Sequence, residues 1–243
     1  MTKDLDVMLR EKLLPIYRDL FSANTFGSIC TFAIQWGENF PTEKNKGLLF
    51  IGKAVNGWVT DDKNVENLFD KHNSDRIFER NDQMKWVNNL SGNTKGYNTK
   101  RSAFWRLIKK VTKSYHPDEW YSHIAWSNLY KIAPWKGGNP NSKLQKQQKE
   151  FCIKLLQTEI NILSPEYVIL LTSGWESSFI ESIKKGKEFK TIAEKKWDKY
   201  KTSLIEIDKI KYIISHHPQG KKEWDHKKAI IELIQSNRGD SDK

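Results

Sequence analysis

Four short apolar runs along this chain each break off at a small, polar or imidazole-bearing residue, and that punctuation limits the folds open to it. The segments are Gly52-Lys53-Ala54-Val55-Asn56-Gly57, Ser127-Asn128-Leu129, Thr172-Ser173-Gly174 and Ser215-His216-His217-Pro218-Gln219-Gly220. Apolar runs of a few residues bounded by turn formers mark strands buried on both faces, as in parallel sheets. Leu48 to Ile51, Tyr167 to Leu171 and Tyr212 to Ile214 are such runs, and a strand over about 121–127 delivers Ser127 and Asn128. In open α/β sheets ligands bind beyond the carboxyl ends of the strands, so these four ends are expected to meet at one pocket.

Between these runs the apolar spacing turns helical. Leu5, Leu9, Leu13, Ile16 and Leu20 predict an amphipathic helix over 5–21. Phe104, Leu107, Ile108 and Val111 recur at i, i+3, i+4 and i+7, with Arg101, Arg106, Lys109 and Lys110 on the other faces. Further helices are expected over about 143–162, from Gly174 through Trp175, Phe179, Ile180 and Ile183, and over about 224–236. Residues 203–207 and 211–214 suggest a hairpin-like approach to the last core strand. Strands alternating with helices predict an α/β chain: a three-layer α/β/α domain around a central, mostly parallel four-stranded sheet. With 243 residues, no internal repeat and no long polar linker, a single domain over 1–243 is expected, ending in a polar tail at about 237–243. The polar stretch over about 60–100, with a loop at Asn93–Asn98, is an insertion placed to cover the pocket, and Pro134–Ser142 reads as a second loop.

Lys and Arg outnumber Asp and Glu by 41 to 30, for a formal charge of +11, which favours a polyanionic partner. DNA, double- or single-stranded, is the partner expected. No apolar stretch approaches the roughly 20 residues of a membrane span. The chain opens on an amphipathic segment instead of a signal peptide, so a cytoplasmic, monomeric protein without an obligatory protein partner is expected. Cys30 and Cys152 stand alone, without Cys or His at ligand spacing, so neither a metal site nor a cofactor is implied. Of the ten Trp residues, Trp58, Trp105, Trp126, Trp135 and Trp224 sit beside polar or basic residues; most are expected in the core, with one or two stacking on bases.

The order of these motifs resembles the uracil-DNA glycosylase superfamily. Its members carry a glycine-rich loop after the first strand, matched by Gly52 to Gly57, and a His-Pro loop after the last, matched by His217-Pro218-Gln219. Between them the family places an Asn that reads the flipped base, matched by Asn128, and a strand with a small polar-Gly end, matched by Leu170 to Gly174. The resemblance covers about residues 47–220. It implies a monofunctional DNA glycosylase that hydrolyses an N-glycosidic bond and leaves an abasic site. His217 would stabilise the departing base, while Asn128, Gly52, Lys53, Ala54 and Trp58 would bind it, and Ser173, Gly174, Gln219, Gly220 and Lys221 would contact DNA. The chemistry fits these residue types: negative charge grows on the leaving base, and one well-placed donor is typically worth roughly 10²- to 10³-fold in rate. An amide both donates and accepts, so Asn128 suits the edge of a pyrimidine-like ring.

The first loop departs from the family pattern. Ala54 stands where many members place the Asp that positions the attacking water, and the Pro that normally follows is missing. Asn56 remains a candidate to orient water, as do Asp61 and Asp62, with Asn56 and Asp62 taken here as the catalytic pair beside His217. The altered loop, Lys53 within it and the polar insertion suggest a pocket unlike a tight uracil slot. The expected substrate is therefore a non-standard base, such as a hypermodified cytosine of phage DNA, in a defence role. The alternatives are a housekeeping uracil repair enzyme, an inactive DNA-binding module on the same fold, and a hydrolase of free nucleosides. His216 is expected to be structural, His72, His116, His123 and His226 to be surface or core residues, and Phe104 to pack in the core or stack on the extruded base. The Lys-rich stretches at 184–187, 195–196 and 221–222 read as solvated faces, some in contact with phosphate.

Overall fold

The computed structural model describes residues 2–41, 46–55, 65–69, 84–88 and 98–238. Among the described residues nine strands and five α-helices follow one another as α1 (Thr2–Ala23), β1 (Ile29–Thr31), β2 (Gln35–Trp36), β3 (Leu48–Ala54), α2 (Ala103–Thr112), β4 (Ile124–Tyr130), β5 (Ile132–Pro134), α3 (Ser142–Leu163), β6 (Tyr167–Leu171), α4 (Ser177–Lys184), β7 (Phe189–Trp197), β8 (Tyr200–Ile207), β9 (Ile210–Ser215) and α5 (Glu223–Arg238). The main sheet has seven strands in the order β2-β4-β3-β6-β9-β8-β7, and β1 pairs with β5 in a separate two-stranded ribbon.

The expected four-stranded sheet is thus corrected to a seven-stranded mixed one. Four adjacent strands, β4, β3, β6 and β9, are parallel, while β2, β8 and β7 extend the sheet antiparallel at its two edges. The outer strand β7 escaped the apolar-run criterion because it is largely exposed: Phe-Lys-Thr-Ile-Ala-Glu-Lys-Lys-Trp buries only its last residue. The short strands β1, β2 and β5 carry too few residues to show any period.

Alternation along the parallel strands separates two cores. Leu49, Ile51, Val168 and Leu170 face one way and pack with Leu9 and Leu13 of α1, Leu155 and Leu156 of α3, and Phe179 of α4. Leu48, Phe50, Tyr167 and Ile169 face the other way and pack with Leu107 and Ile108 of α2 and Ile230 and Leu233 of α5. Three layers result, with α1, α3 and α4 on one side of the sheet and α2 and α5 on the other. The α-helix that follows β3 in the chain, α2, packs on one face of the sheet and the one that follows β6, α4, on the other, so these neighbouring parallel strands are followed by helices on opposite faces. That is the switch point at which an open sheet offers a crevice.

Several boundaries shift from those expected. Strand β3 continues through Gly52 to Ala54 instead of ending at Ile51, because Gly52 to Ala54 stay paired or aligned with Asn128 to Tyr130 of β4. Strand β4 runs over Ile124–Tyr130, with a 3₁₀ turn at Trp120–His123 before it, so Asn128 is itself a strand residue. Helix α4 starts at Ser177, three residues after Gly174, because Glu176 caps the preceding turn. Helix α5 runs to Arg238, whose guanidinium pairs with Glu166, and this anchors the start of the expected polar tail in a helix. Among the described residues no helix is long and apolar enough to cross a membrane.

Candidate active site at the carboxyl edge of the sheet

Gly52 and Asn128 are register partners on β3 and β4. A Cβ at position 52 would lie 2.4 Å from Asn128 Oδ1 and 3.4 Å from the Phe104 ring, so the Asn amide and the phenyl ring occupy the space a side chain would fill. Glycine is required there by close approach, in the middle of a strand, and not by a turn. Asn128 is 2 % exposed, and among the described residues its Nδ2 has no hydrogen-bond partner. An unpaired buried donor costs about 1–3 kcal/mol, and no described residue offers this amide an acceptor.

Phe104, near the start of α2, lies almost parallel to the His217 ring, with centroids 6.1 Å apart and planes 13° apart. Ser102 caps this helix by accepting from Trp105 N, which fixes where Phe104 emerges. His217 follows β9 and is tied to β6: its backbone N–H donates to Ser173 Oγ at 2.7 Å, while Thr172 N and Ser173 N donate to Ser215 O. Ser173 reaches this position with φ +55°, and Gly174 follows with φ +91°. A left-handed Ser is strained backbone retained by its surroundings, a feature concentrated at functional sites.

Burial, with Lys53 and Lys221 nearby, pushes the His217 imidazole down to about 4, so the ring is neutral at pH 7. Gln219 N–H donates to His217 Nδ1 at 3.4 Å, which leaves Nε2 as the protonated nitrogen, a donor without an acceptor among the described residues. Among the described residues three groups therefore meet at the carboxyl ends of β3, β4 and β9: an amide with an unused donor, an aromatic face, and a neutral imidazole with an unused N–H.

The remaining expected site residues divide into three groups. Lys53 is half-buried in β3, with its ammonium 5.2 Å from the Trp175 ring, and burial followed by Lys221 lowers its pKa. Its neighbour Ala54 ends the strand, also half-buried. Gly174, Gln219 and Gly220 are exposed, and Lys221 reaches over Tyr200 at 4.9 Å. Ser173 serves the backbone of His217, as above. Asn56, Trp58, Asp61 and Asp62 lie outside the described residues, as does most of the 60–100 insertion. His216 packs against Tyr200 and Trp197, and His226 is fully buried. Trp105 and Trp126 are core residues, while Trp135 and Trp224 are exposed.

Sequence reasoning missed three supports of this site. Glu176 is buried and accepts from Thr172 Oγ1 and from Gly174 N, fastening the β6 loop. Lys131 and Glu159 form a fully buried ion pair at 2.8 Å; Lys131 Nζ also donates to Ser127 Oγ and to Asn128 O, so the pair holds the Asn128 backbone from below. A signal for the pair existed in the sequence, since Glu159 interrupts the apolar stripe of α3 formed by Cys152, Leu155, Leu156, Ile160 and Leu163. A carboxylate on a buried stripe requires a buried cation. Among the described residues no cluster of three His, Cys, Asp or Glu side chains is placed to hold a metal ion. No protein-family model matches this chain, and no curated protein matches it in sequence.

Proposed function

We propose that the protein is a DNA glycosylase that hydrolyses the N-glycosidic bond of a flipped-out, non-standard base and leaves an abasic site. The observation that carries this reading is the juxtaposition at the carboxyl edge: Asn128 Nδ2, unpartnered among the described residues, Gly52 leaving room for it, and the neutral His217 ring alongside Phe104. In this mechanism the base enters between the strand ends and meets Phe104. Asn128 reads its hydrogen-bonding edge, and His217 Nε2–H donates to the oxygen on which negative charge grows. Neutrality suits that role, because the ring stabilises developing charge without giving up a proton. Asn56 or Asp62 orients the water that attacks the sugar carbon. The net charge of +11, with Lys53 and Lys221 beside the site, favours a polymeric anion over a free nucleoside. The altered first loop favours a modified pyrimidine, such as a hypermodified cytosine of phage DNA, over uracil. Such an enzyme would work in the cytosol without metal or cofactor.

The test is incubation of the purified protein with DNAs carrying uracil, hypoxanthine, hydroxymethylcytosine or glucosylated hydroxymethylcytosine, with released bases identified by mass spectrometry. The expected outcome is release of a modified base, reduced roughly 10²- to 10³-fold by His217→Ala. General uracil excision would replace the defence reading with a repair one. Tight binding without release of any base would leave a DNA-binding module on this fold.

A further inference from the structure

On the opposite side of the sheet edge from His217 lies a cleft of 520 Å³ between the first turns of α3 and α4, lined by Tyr130, Gln145, Lys146, Lys149, Trp175 and Ser178. Its floor is aromatic. Tyr130 packs edge-on against Phe179 and Trp175, at 5.3 and 5.9 Å between ring centroids. Tyr130 is 5 % exposed and lines the cleft. Among the described residues Lys146 and Lys149 have no acidic partner, and both stand on α3 just beyond its first turn.

The cleft is built from the same strand ends as the candidate active site. Strand β3 supplies Gly52 to the one, and its next residue, Lys53, reaches over Trp175 at the rim of the other. Strand β4 supplies Asn128 and then, two residues on and about 7 Å along the strand, Tyr130. The loop after β6 supplies Ser173 to His217 and Trp175 to the cleft. Aromatic faces flanked by lysines are the combination that holds a nucleotide, its base stacked and its phosphate neutralised.

We propose that this cleft binds a nucleotide of the same DNA strand, next to the one whose base enters the active site. The base stacks on Trp175, Tyr130 Oη donates to it or to its sugar, and Lys146 and Lys149 meet the flanking phosphates. This rests on the nucleic-acid reading above but not on catalysis.

Binding of a 12-nucleotide single strand, followed by fluorescence anisotropy over a salt series, tests it. Lys146→Gln/Lys149→Gln should weaken binding about 10-fold at low salt and flatten the log Kd against log salt slope by about 1.4, the value for two single-strand phosphate contacts. Trp175→Ala should weaken the strand 5-fold or more, within the range of one lost base stack, yet leave heparin binding unchanged. Trp175→Phe, which keeps a stacking face, should recover most of the affinity. Native-like circular dichroism of each variant accompanies the comparison. Variants that bind as the wild type does would overturn the cleft assignment and leave the glycosylase reading standing. Equal loss of heparin and DNA on Trp175→Ala would also overturn it. A wild-type protein that binds no DNA would remove both readings.

Discussion

Two buried polar networks lie beneath the carboxyl edge, one under Asn128 and one under His217, and they are built from opposite materials. Under Asn128 the network is ionic: Lys131 and Glu159, both fully buried, meet Ser127 and hold the Asn128 carbonyl. Under His217 it is neutral: Trp197 Nε1 donates to Thr202 Oγ1, which bonds Ser215 Oγ at 2.7 Å, which bonds His226 Nε2 at 2.7 Å. Trp197 also lies flat on the His226 ring, 4.2 Å between centroids. The difference follows from what each network supports. Asn128 does not titrate, so charge beneath it fixes the backbone without altering its chemistry. His217 does titrate, and a carboxylate beneath it would raise its pKa and protonate the ring. A chain of hydroxyls and a neutral imidazole anchors the strand end without that effect.

The comparison is broken most severely by removing one member of the ion pair. Lys131→Met leaves the Glu159 carboxylate buried and uncompensated and should cost about 3–5 kcal/mol in urea denaturation. Lys131→Met/Glu159→Leu should recover much of that loss. A single variant as stable as the wild type would show that the charges are not both buried and ionised.

Breaking the neutral network should cost less. His226→Phe keeps the stack on Trp197 but leaves Ser215 Oγ short of a partner, an expected loss of about 1–3 kcal/mol. A loss equal to that of Lys131→Met would erase the distinction between the two networks.

Acid sharpens the contrast further. Burial, followed by His216, Lys221 and His217, lowers His226 to about 3, and His217 is lowered to about 4. The unfolded chain takes up these protons near pH 6.5, before the folded one does. Stability is therefore intact above pH 6.5 and declines as pH falls through 4 toward 3. His226→Phe should flatten that decline, and an unchanged acid profile would count against a neutral buried imidazole. The smallest effect is expected on the surface: Glu223→Gln, which releases Arg106 and Lys110, should cost about 0–1 kcal/mol.

The parallel strands and their helices were legible because their residues bury on both faces and leave long apolar signatures. Leu48 to Ile51 and Tyr167 to Leu171 could hardly be anything but buried strands, and the i, i+3, i+4, i+7 spacing of α2 is unbroken. Strand β7 was not legible, because an exposed edge strand needs only ladder hydrogen bonds and tolerates a lysine-rich sequence. In the candidate site, Asn128 and His217 could be located from their place at strand ends. The roles of Gly52 and Ser173 could not, because they consist of contacts between strands more than 40 residues apart.

By itself the sequence determined the layering, the four apolar runs that form the parallel strands, and which polar residues stand near their carboxyl ends. The residue period and the cost of exposing apolar surface are local properties, written in neighbouring residues. Only the tertiary structure decided that seven strands form the sheet, that His217 lies along Phe104, that Lys131 meets Glu159 beneath Asn128, and that Tyr130 and Trp175 open a second cleft on the far side of the same edge. Those outcomes depend on strand order and on which face each connection takes, and no window of neighbouring residues contains either.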